Sequence, residues 1–212
     1  MDPELAENFF RGDHQKLREN IEKALKVASL IACLLIPPLF ALGEDIGILL
    51  FSSEHGGEII RNCCFMLFPM SLGMISNSIL NSLGYEKQTW AYFFIGAAAT
   101  LLCVWFLPQI VGIYALMIGM TASQIITTLL DLRLIAKKSK EKVRFCKHTL
   151  LSAISIPPAI LFGCLLRNVL TAILPSLAAI ILCGVILLIA QGLLLAVIGL
   201  AQPRWIRVSI RR

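Results

Sequence analysis

The pattern of hydrophobic and polar positions divides the chain into long apolar runs separated by short polar segments. A helix of about 20 apolar residues crosses a hydrocarbon core about 30 Å thick. Apolar runs of this character occupy residues 27–42, 63–83, 90–107, 111–135, 150–166 and 172–201. We therefore predict an all-α integral membrane protein with six transmembrane helices in residues 27–201.

The segments outside these runs are polar and charged. Residues 1–26 are amphipathic, which predicts a cytoplasmic lead-in helix on or near the membrane, and residues 202–212 predict a basic cytoplasmic tail. Residues 43–58 predict a short interfacial helix outside the cell. Pro37 and Pro38 predict a bend in the first span, because proline removes backbone donors from a helix.

Polar side chains form stripes on two of the predicted spans. Asn77 and Asn81 lie four residues apart in the second span, and Gln124 and Thr128 have the same spacing in the fourth. Lipid does not satisfy amide and hydroxyl groups, so these stripes face protein or water. They can line a substrate path, with Arg61 near its outer end, or they can bond helices to each other while Arg61 snorkels to the surface.

Small residues predict close helix contacts along the same spans. The predicted packing positions are Gly73, Gly84, Gly112, Gly119, Ser123, Gly184 and Gly199. Asp131 lies near the inner end of the fourth span, where pairing with its basic neighbour Arg133 suffices to explain it.

The distribution of basic residues predicts the topology. The chain contains 19 Lys and Arg residues, and all except Arg61 and Arg167 lie on one side if both termini are cytoplasmic. Cytoplasmic loops carry such an excess of positive charge. We therefore predict an N-in, C-in arrangement in the cell membrane, with the basic loop from Arg133 to Lys147 touching anionic lipid rather than nucleic acid.

Composition excludes an ordinary soluble protein, since 58% of the residues are hydrophobic and 15% are charged. The sequence contains no glycine-rich phosphate loop, no HExxH motif and no nucleophile elbow. His14, His55 and His148 lie far apart, and the seven cysteines lack metal-site spacing. We predict no enzymatic activity, no cofactor and no metal site, which leaves a transporter or a channel.

The order of features resembles a known family. The relevant stretches are AENFFRGDHQKLRENIEKALK, LIPPLFALGEDIGILLF, ILNSLGYEKQTW and LPQIVGIYALMIGMTAS. The most similar positions are Leu80, Asn81, Gly84 and Lys87, followed by Pro108, Gly112, Ile113, Tyr114 and Ala115. This pattern is similar to the stage V sporulation protein B and polysaccharide-exporter branch of the multidrug, oligosaccharidyl-lipid and polysaccharide flippase superfamily.

The resemblance implies a fold of about fourteen spanning helices in two lobes, of which this chain would supply the last six. A separate N-terminal half or a second copy of the chain would then be a partner. The implied activity is alternating-access movement of a lipid-linked saccharide, such as a cell-wall or spore-envelope precursor, between membrane leaflets. In that scheme Asn77, Asn81, Gln124 and Thr128 contribute to the polar cavity.

Two other functions remain open at this point. A cation-coupled multidrug exporter of the same superfamily would need an acidic residue deep in a span, and Asp131 is the one candidate, close to the edge. A non-transporting membrane protein that binds a partner or acts as a structural subunit is the other. Dimers or a separately encoded N-terminal half would favour that subunit or a split transporter.

Overall fold

The protein is all-helical throughout the residues that its computed structural model describes, which are 14–52, 54–138, 153–171 and 176–197. The helices are α1 His14–Phe51, α2 Glu54–Cys63, a 3-10 helix Cys64–Met66, α3 Leu67–Ser82, α4 Glu86–Phe106, α5 Pro108–Val111, α6 Tyr114–Lys138, α7 Ile156–Thr171 and α8 Ser176–Val197. The predicted all-α class is confirmed.

Within the described residues, six apolar helical segments are compatible with a membrane protein of about six helices. Four are long and apolar enough to cross a membrane, namely Glu19–Phe51, His55–Ser82, Glu86–Phe106 and Tyr114–Lys137. Two shorter apolar stretches lie in α7 and α8, at Ile156–Leu170 and Ile180–Ala196. The N-in, C-in orientation stays a prediction. Residues 1–13 of the lead-in, most of the basic loop, Gly199 and the tail 202–212 lie outside the described residues.

The first helix differs most from its predicted boundaries. Separate elements were expected at residues 1–26, 27–42 and 43–58, whereas α1 runs without interruption from His14 to Phe51 and includes Pro37 and Pro38. Proline is tolerated inside membrane helices because neighbouring groups satisfy the freed carbonyls. The chain turns at Ser52, whose φ is 49°, before α2 begins.

The described residues belong to two compact units. The first unit contains residues 14–29 and 66–138, and the second contains residues 30–65, 153–171 and 176–197. The first unit is centred on a buried apolar cluster from α1, α3 and α6, with Ile21, Leu25, Leu72, Leu80 and Ile135 among its members. Burial of such side chains stabilises each by about 1.5–3 kcal/mol relative to exposure in water, although lipid exposure reduces this gain.

The second unit has its own core. Ala41 and Leu42 of α1 pack with Cys183 and Leu187 of α8. The buried amide of Gln191 is held inside this unit, because its Nε2 donates to the Cys33 carbonyl at 3.2 Å and to Ser155 Oγ at 3.1 Å. A buried amide that is bonded in this way fixes one arrangement of helices.

Candidate functional site

Glycines bring α1 and α2 unusually close together in the second unit. A Cβ built on Gly57 would lie 2.5 Å from Glu44 Cα, and one built on Gly43 would lie 3.2 Å from Arg61 Cα. Only residues without a side chain permit backbones at these distances. This close antiparallel approach places Arg61 of α2 directly beside Glu44 of α1.

Arg61 is held by two interactions. Its Nη1 donates to Glu44 Oε1 at 2.8 Å. Its guanidinium carbon lies 4.5 Å from the centre of the Phe40 ring, a distance suited to a cation–π contact. Phe40 is itself packed edge-on against Phe65, with ring centres 5.5 Å apart. Arg61 was predicted either to line a path or to snorkel; the structure places it in a fixed ion pair.

Arg167 of α7 completes the cluster. Its Nε and Nη2 donate to the two carboxylate oxygens of Asp45 at 2.7 and 2.8 Å, and its Nη1 donates to Glu44 Oε2 at 2.8 Å. Glu44 thus bridges both arginines. We call Glu44, Asp45, Arg61 and Arg167 the charged cluster. Its formal charges cancel, and bidentate pairing of this kind is among the stronger ion-pair geometries in proteins.

A pocket of about 370 Å³ adjoins the charged cluster. It is lined by Glu44, Ile48, His55, Glu58 and Arg167. Carboxylates accept hydrogen bonds from hydroxyl groups, guanidinium donates them, and Ile48 offers an apolar surface. This combination suits a polar ligand rich in hydroxyl groups. Among the residues that the structure describes, no group of three or more His, Cys, Asp or Glu could hold a metal ion.

The polar residues that were predicted to line a path lie in the first unit and have two different environments. Asn81 Nδ2 donates to Asn77 Oδ1 at 2.7 Å, and Asn77 is exposed. Thr128 is buried, and its hydroxyl donates to the Pro69 carbonyl at 2.9 Å, which ties α6 to α3. Gln124 lies at the same helix contact. The asparagine pair and the Gln124–Thr128 pair therefore do not form one continuous surface.

The small residues that were predicted to pack helices also divide into two groups. Gly73, Gly119, Ser123 and Gly184 lie at helix contacts; a Cβ on Gly73 would lie 2.6 Å from Thr128 Oγ1, and one on Gly119 would lie 3.2 Å from the Thr100 carbonyl oxygen. Gly84 and Gly112 lie in turns instead, with φ of 79° and 58° and no atom within 4 Å of a built Cβ. These φ values favour glycine, so both glycines serve the turns.

The contact between Gly73 and Thr128 gives a testable prediction. Replacing Gly73 with alanine would displace the Thr128 hydroxyl and break its bond to Pro69, so we expect a loss of about 1–2 kcal/mol in unfolding free energy. Thermal unfolding in detergent micelles measures it. In the double variant Gly73→Ala/Thr128→Ala, the Thr128 hydroxyl that the new methyl group would meet is absent. The loss of unfolding free energy should therefore be smaller than the sum of the losses in the two single variants. Full additivity would contradict the contact.

Sequence reasoning missed Glu44, Asp45 and Arg167 as a site. Glu44 and Asp45 were assigned to a solvated interfacial helix, and Arg167 was used only to count charges. The charge count could have predicted this cluster, because it left Arg61 and Arg167 on the same predicted side of the membrane as Glu44 and Asp45. Two isolated cations and an adjacent acidic pair at one end of a bundle favour pairing.

Comparison with known proteins identifies a family. A family model described as PelG, exopolysaccharide exporter (EPS-E), matches residues 4–171. This match confirms the polysaccharide-exporter part of the resemblance and does not support the stage V sporulation protein B branch. No curated protein and no solved structure matches the chain.

Proposed function

Because this chain belongs to the PelG family of exopolysaccharide exporters, we propose that it acts in transport, as part of a machine that moves a saccharide across the plasma membrane. The observation that carries this proposal is the family match over residues 4–171, a range that includes α1 to α7 and every residue lining the pocket. A transporter, unlike an enzyme, needs no reacting group at this pocket.

The finer proposal concerns substrate and mechanism. The cargo is a lipid-linked saccharide, such as a cell-wall, polysaccharide or spore-envelope precursor, and the chain acts as a flippase by alternating access. In such a cycle a polar cavity holds the sugar and phosphate head while the lipid tail stays in the bilayer. A separate N-terminal half or a second copy of this chain would supply the rest of the cavity.

Two polar surfaces serve this function in the proposal. The pocket beside the charged cluster binds a sugar unit on the outer side, where carboxylates and a guanidinium meet its hydroxyl groups. The exposed Asn77–Asn81 pair and, separately, Gln124 at the contact of α6 with Gly73 of α3 give the first unit its share of the polar path. Thr128 supports that path indirectly, because it holds α6 against α3.

The path is tested by replacing Asn77, Asn81 and Gln124 together with leucine in the full-length protein. We expect the rate of saccharide movement between leaflets to fall about tenfold or more, equivalent to about 1.4 kcal/mol in the barrier. Reconstituted vesicles with a labelled lipid-linked saccharide provide the measurement. The control is Gln88→Leu, which removes an exposed amide in the first turn of α4. An unchanged rate in the triple variant would reject this assignment.

A further inference from the structure

Two faces of α6 are covered by other helices of the first unit. A Cβ built on Gly73 of α3 would lie 2.6 Å from Thr128 Oγ1, so Thr128 faces α3. A Cβ built on Gly96 of α4 would lie 2.6 Å from both Ser123 Oγ and Thr127 Cγ2, so these two side chains face α4. The remaining side of α6 points away from both of these contacts.

This third side of α6 carries exposed apolar residues. Ile118, Ile125 and Leu129 are 41%, 44% and 52% exposed. Their spacings of seven and four residues place them on one side of the helix. In a helix that crosses a membrane, such side chains can contact acyl chains and need no protein partner.

Two basic residues continue this side towards the end of the helix. Arg133 lies about one turn beyond Leu129, and Lys137 lies about one turn beyond Arg133; both are exposed. Residues four apart on a helix have Cβ atoms about 5–6 Å apart, so both cations can contact one anionic group. Lys137 also ends the apolar segment Tyr114–Lys137, which places the pair where hydrocarbon gives way to lipid headgroups. We call Ile118, Ile125, Leu129, Arg133 and Lys137 the exposed α6 face.

The positive charge of this pair is not neutralised by the described part of the chain. Arg133 was expected to pair with Asp131, but Asp131 is only 4% exposed, and the described residues show no ion pair between them. The reason is geometric, because side chains two residues apart on a helix do not face each other. No other described carboxylate forms an ion pair with Arg133 or Lys137. The pair is therefore available to an anion from outside the chain.

The apolar part of the exposed α6 face has the length of an acyl chain in one leaflet. Leu129 and Ile125 lie about 6 and 12 Å from Arg133 along the helix axis. One leaflet of the hydrocarbon core is about 15 Å deep, which is half of the thickness of the whole core. A lipid whose headgroup contacts Arg133 and Lys137 would therefore lay an acyl chain over Leu129 and Ile125.

We propose that the exposed α6 face binds an anionic phospholipid of the inner leaflet, with its phosphate against Arg133 and Lys137 and an acyl chain along Leu129 and Ile125. In the predicted topology this end of α6 is cytoplasmic, and the cytoplasmic leaflet has the negative surface potential that attracts basic residues. A phospholipid supplies the anion and the apolar chain in one molecule, at the spacing that this face offers. This site goes beyond the proposed transport function and does not depend on it.

Binding of phosphatidylglycerol to the purified full-length chain tests the site. The lipid is titrated into micelles, and native mass spectrometry measures the fraction of chains that retain one lipid molecule. A basic residue near an anionic lipid surface strengthens binding by about fivefold, so we expect Arg133→Gln/Lys137→Gln to bind about 25-fold more weakly than the wild type. Phosphatidylcholine has a zwitterionic headgroup and should bind the wild type and this variant equally.

The charge-matched control is Lys26→Gln/Lys87→Gln. It also removes two positive charges from the first unit, but Lys26 lies on α1 and Lys87 lies on α4, so the pair on α6 stays intact. We expect this control to bind phosphatidylglycerol almost as well as the wild type. Arg133→Lys should also keep most of the binding, because a point charge suffices to contact a single phosphate.

Three results would overturn the site. Equal losses in the two double variants would assign the binding to overall charge. Equal retention of phosphatidylglycerol and phosphatidylcholine by the wild type would show that the headgroup is not recognised. Displacement of the lipid by excess inorganic phosphate would show that the two cations bind phosphate without an acyl chain. If the α6 double variant does not fold, the single variants Arg133→Gln and Lys137→Gln take its place; each should bind about fivefold more weakly, and unchanged binding in both would also overturn the site.

Discussion

Replacing Arg167 with leucine is expected to lower the unfolding free energy of the protein by about 3 kcal/mol and to abolish binding at the adjoining pocket. The substitution removes three short charged hydrogen bonds and leaves Asp45 and Glu44 without their shared partner. The Asp45 side chain is only 18% exposed, so water replaces little of what is lost. The Arg167 side chain is 25% exposed, which is why the lower end of the usual range for breaking a buried pair applies.

The measurement is thermal unfolding in micelles. Unfolding is detected by the increased reactivity of the thiols of Cys33, Cys64 and Cys183, which are buried in the folded protein. Arg133→Leu is the matched control, because it removes an exposed arginine that forms no ion pair with any described residue. Arg167→Lys keeps the positive charge but cannot donate two parallel hydrogen bonds as the guanidinium does. We therefore expect a loss of unfolding free energy between those of Arg167→Leu and Arg133→Leu. Equal stability of the Arg167→Leu and Arg133→Leu variants would show that the ion pairs of Arg167 do not contribute to the unfolding free energy.

A double-mutant cycle shows whether Arg167 stabilises the protein through its ion pair with Asp45 or through apolar packing of its side chain. Adding Asp45→Asn to Arg167→Leu removes the uncompensated anion, so the double variant should regain part of the lost stability. A double variant less stable than either single variant would instead assign the effect to apolar packing of the arginine stem.

Hydrophobic runs were sufficient to predict the all-α class and the approximate positions of the apolar helices. Each run is a local property, since a helix in lipid satisfies its own backbone groups wherever it is long and apolar enough. The boundaries were less predictable around Pro37 and Pro38, because proline signals a break in a soluble helix but not in a membrane helix. The polar stretch after them continues α1, since Glu44 and Asp45 are paired with arginines instead of being solvated.

The charged cluster could not be derived from local pattern for a different reason. Arg167 and Asp45 are 122 residues apart, and their contact depends on how α7 packs against α1. The same limit applies to the polar stripes. Spacing placed Thr128 and Asn77 in equivalent patterns, yet Thr128 faces a neighbouring helix and Asn77 does not. Periodicity defines a face of a helix, and only packing decides what that face contacts.

The close contact between Gly57 of α2 and Glu44 of α1 leads to the second prediction with a large expected loss of stability. Replacing Gly57 with alanine would put a methyl group 2.5 Å from Glu44 Cα and 2.9 Å from its carbonyl oxygen. Backbone atoms of a helix cannot rotate aside as a flexible side chain can, so α2 must move away from α1. Overpacking typically costs about 1–3 kcal/mol, and we expect the upper end here because this movement also separates Arg61 from Glu44.

Unfolding temperature and the labelling rate of Cys64 measure this effect. Cys64 is buried immediately after α2, and its thiol is bonded to the Arg61 carbonyl at 2.9 Å, so a displaced α2 should expose it to thiol reagents. The control is Gly192→Ala on α8, where no atom lies within 4 Å of the built Cβ. Alanine is the better helix former by about 1 kcal/mol, so this control should be neutral or slightly stabilising. If Gly57→Ala matched the control in both measurements, the close approach of α1 and α2 would not be what holds Arg61 beside Glu44.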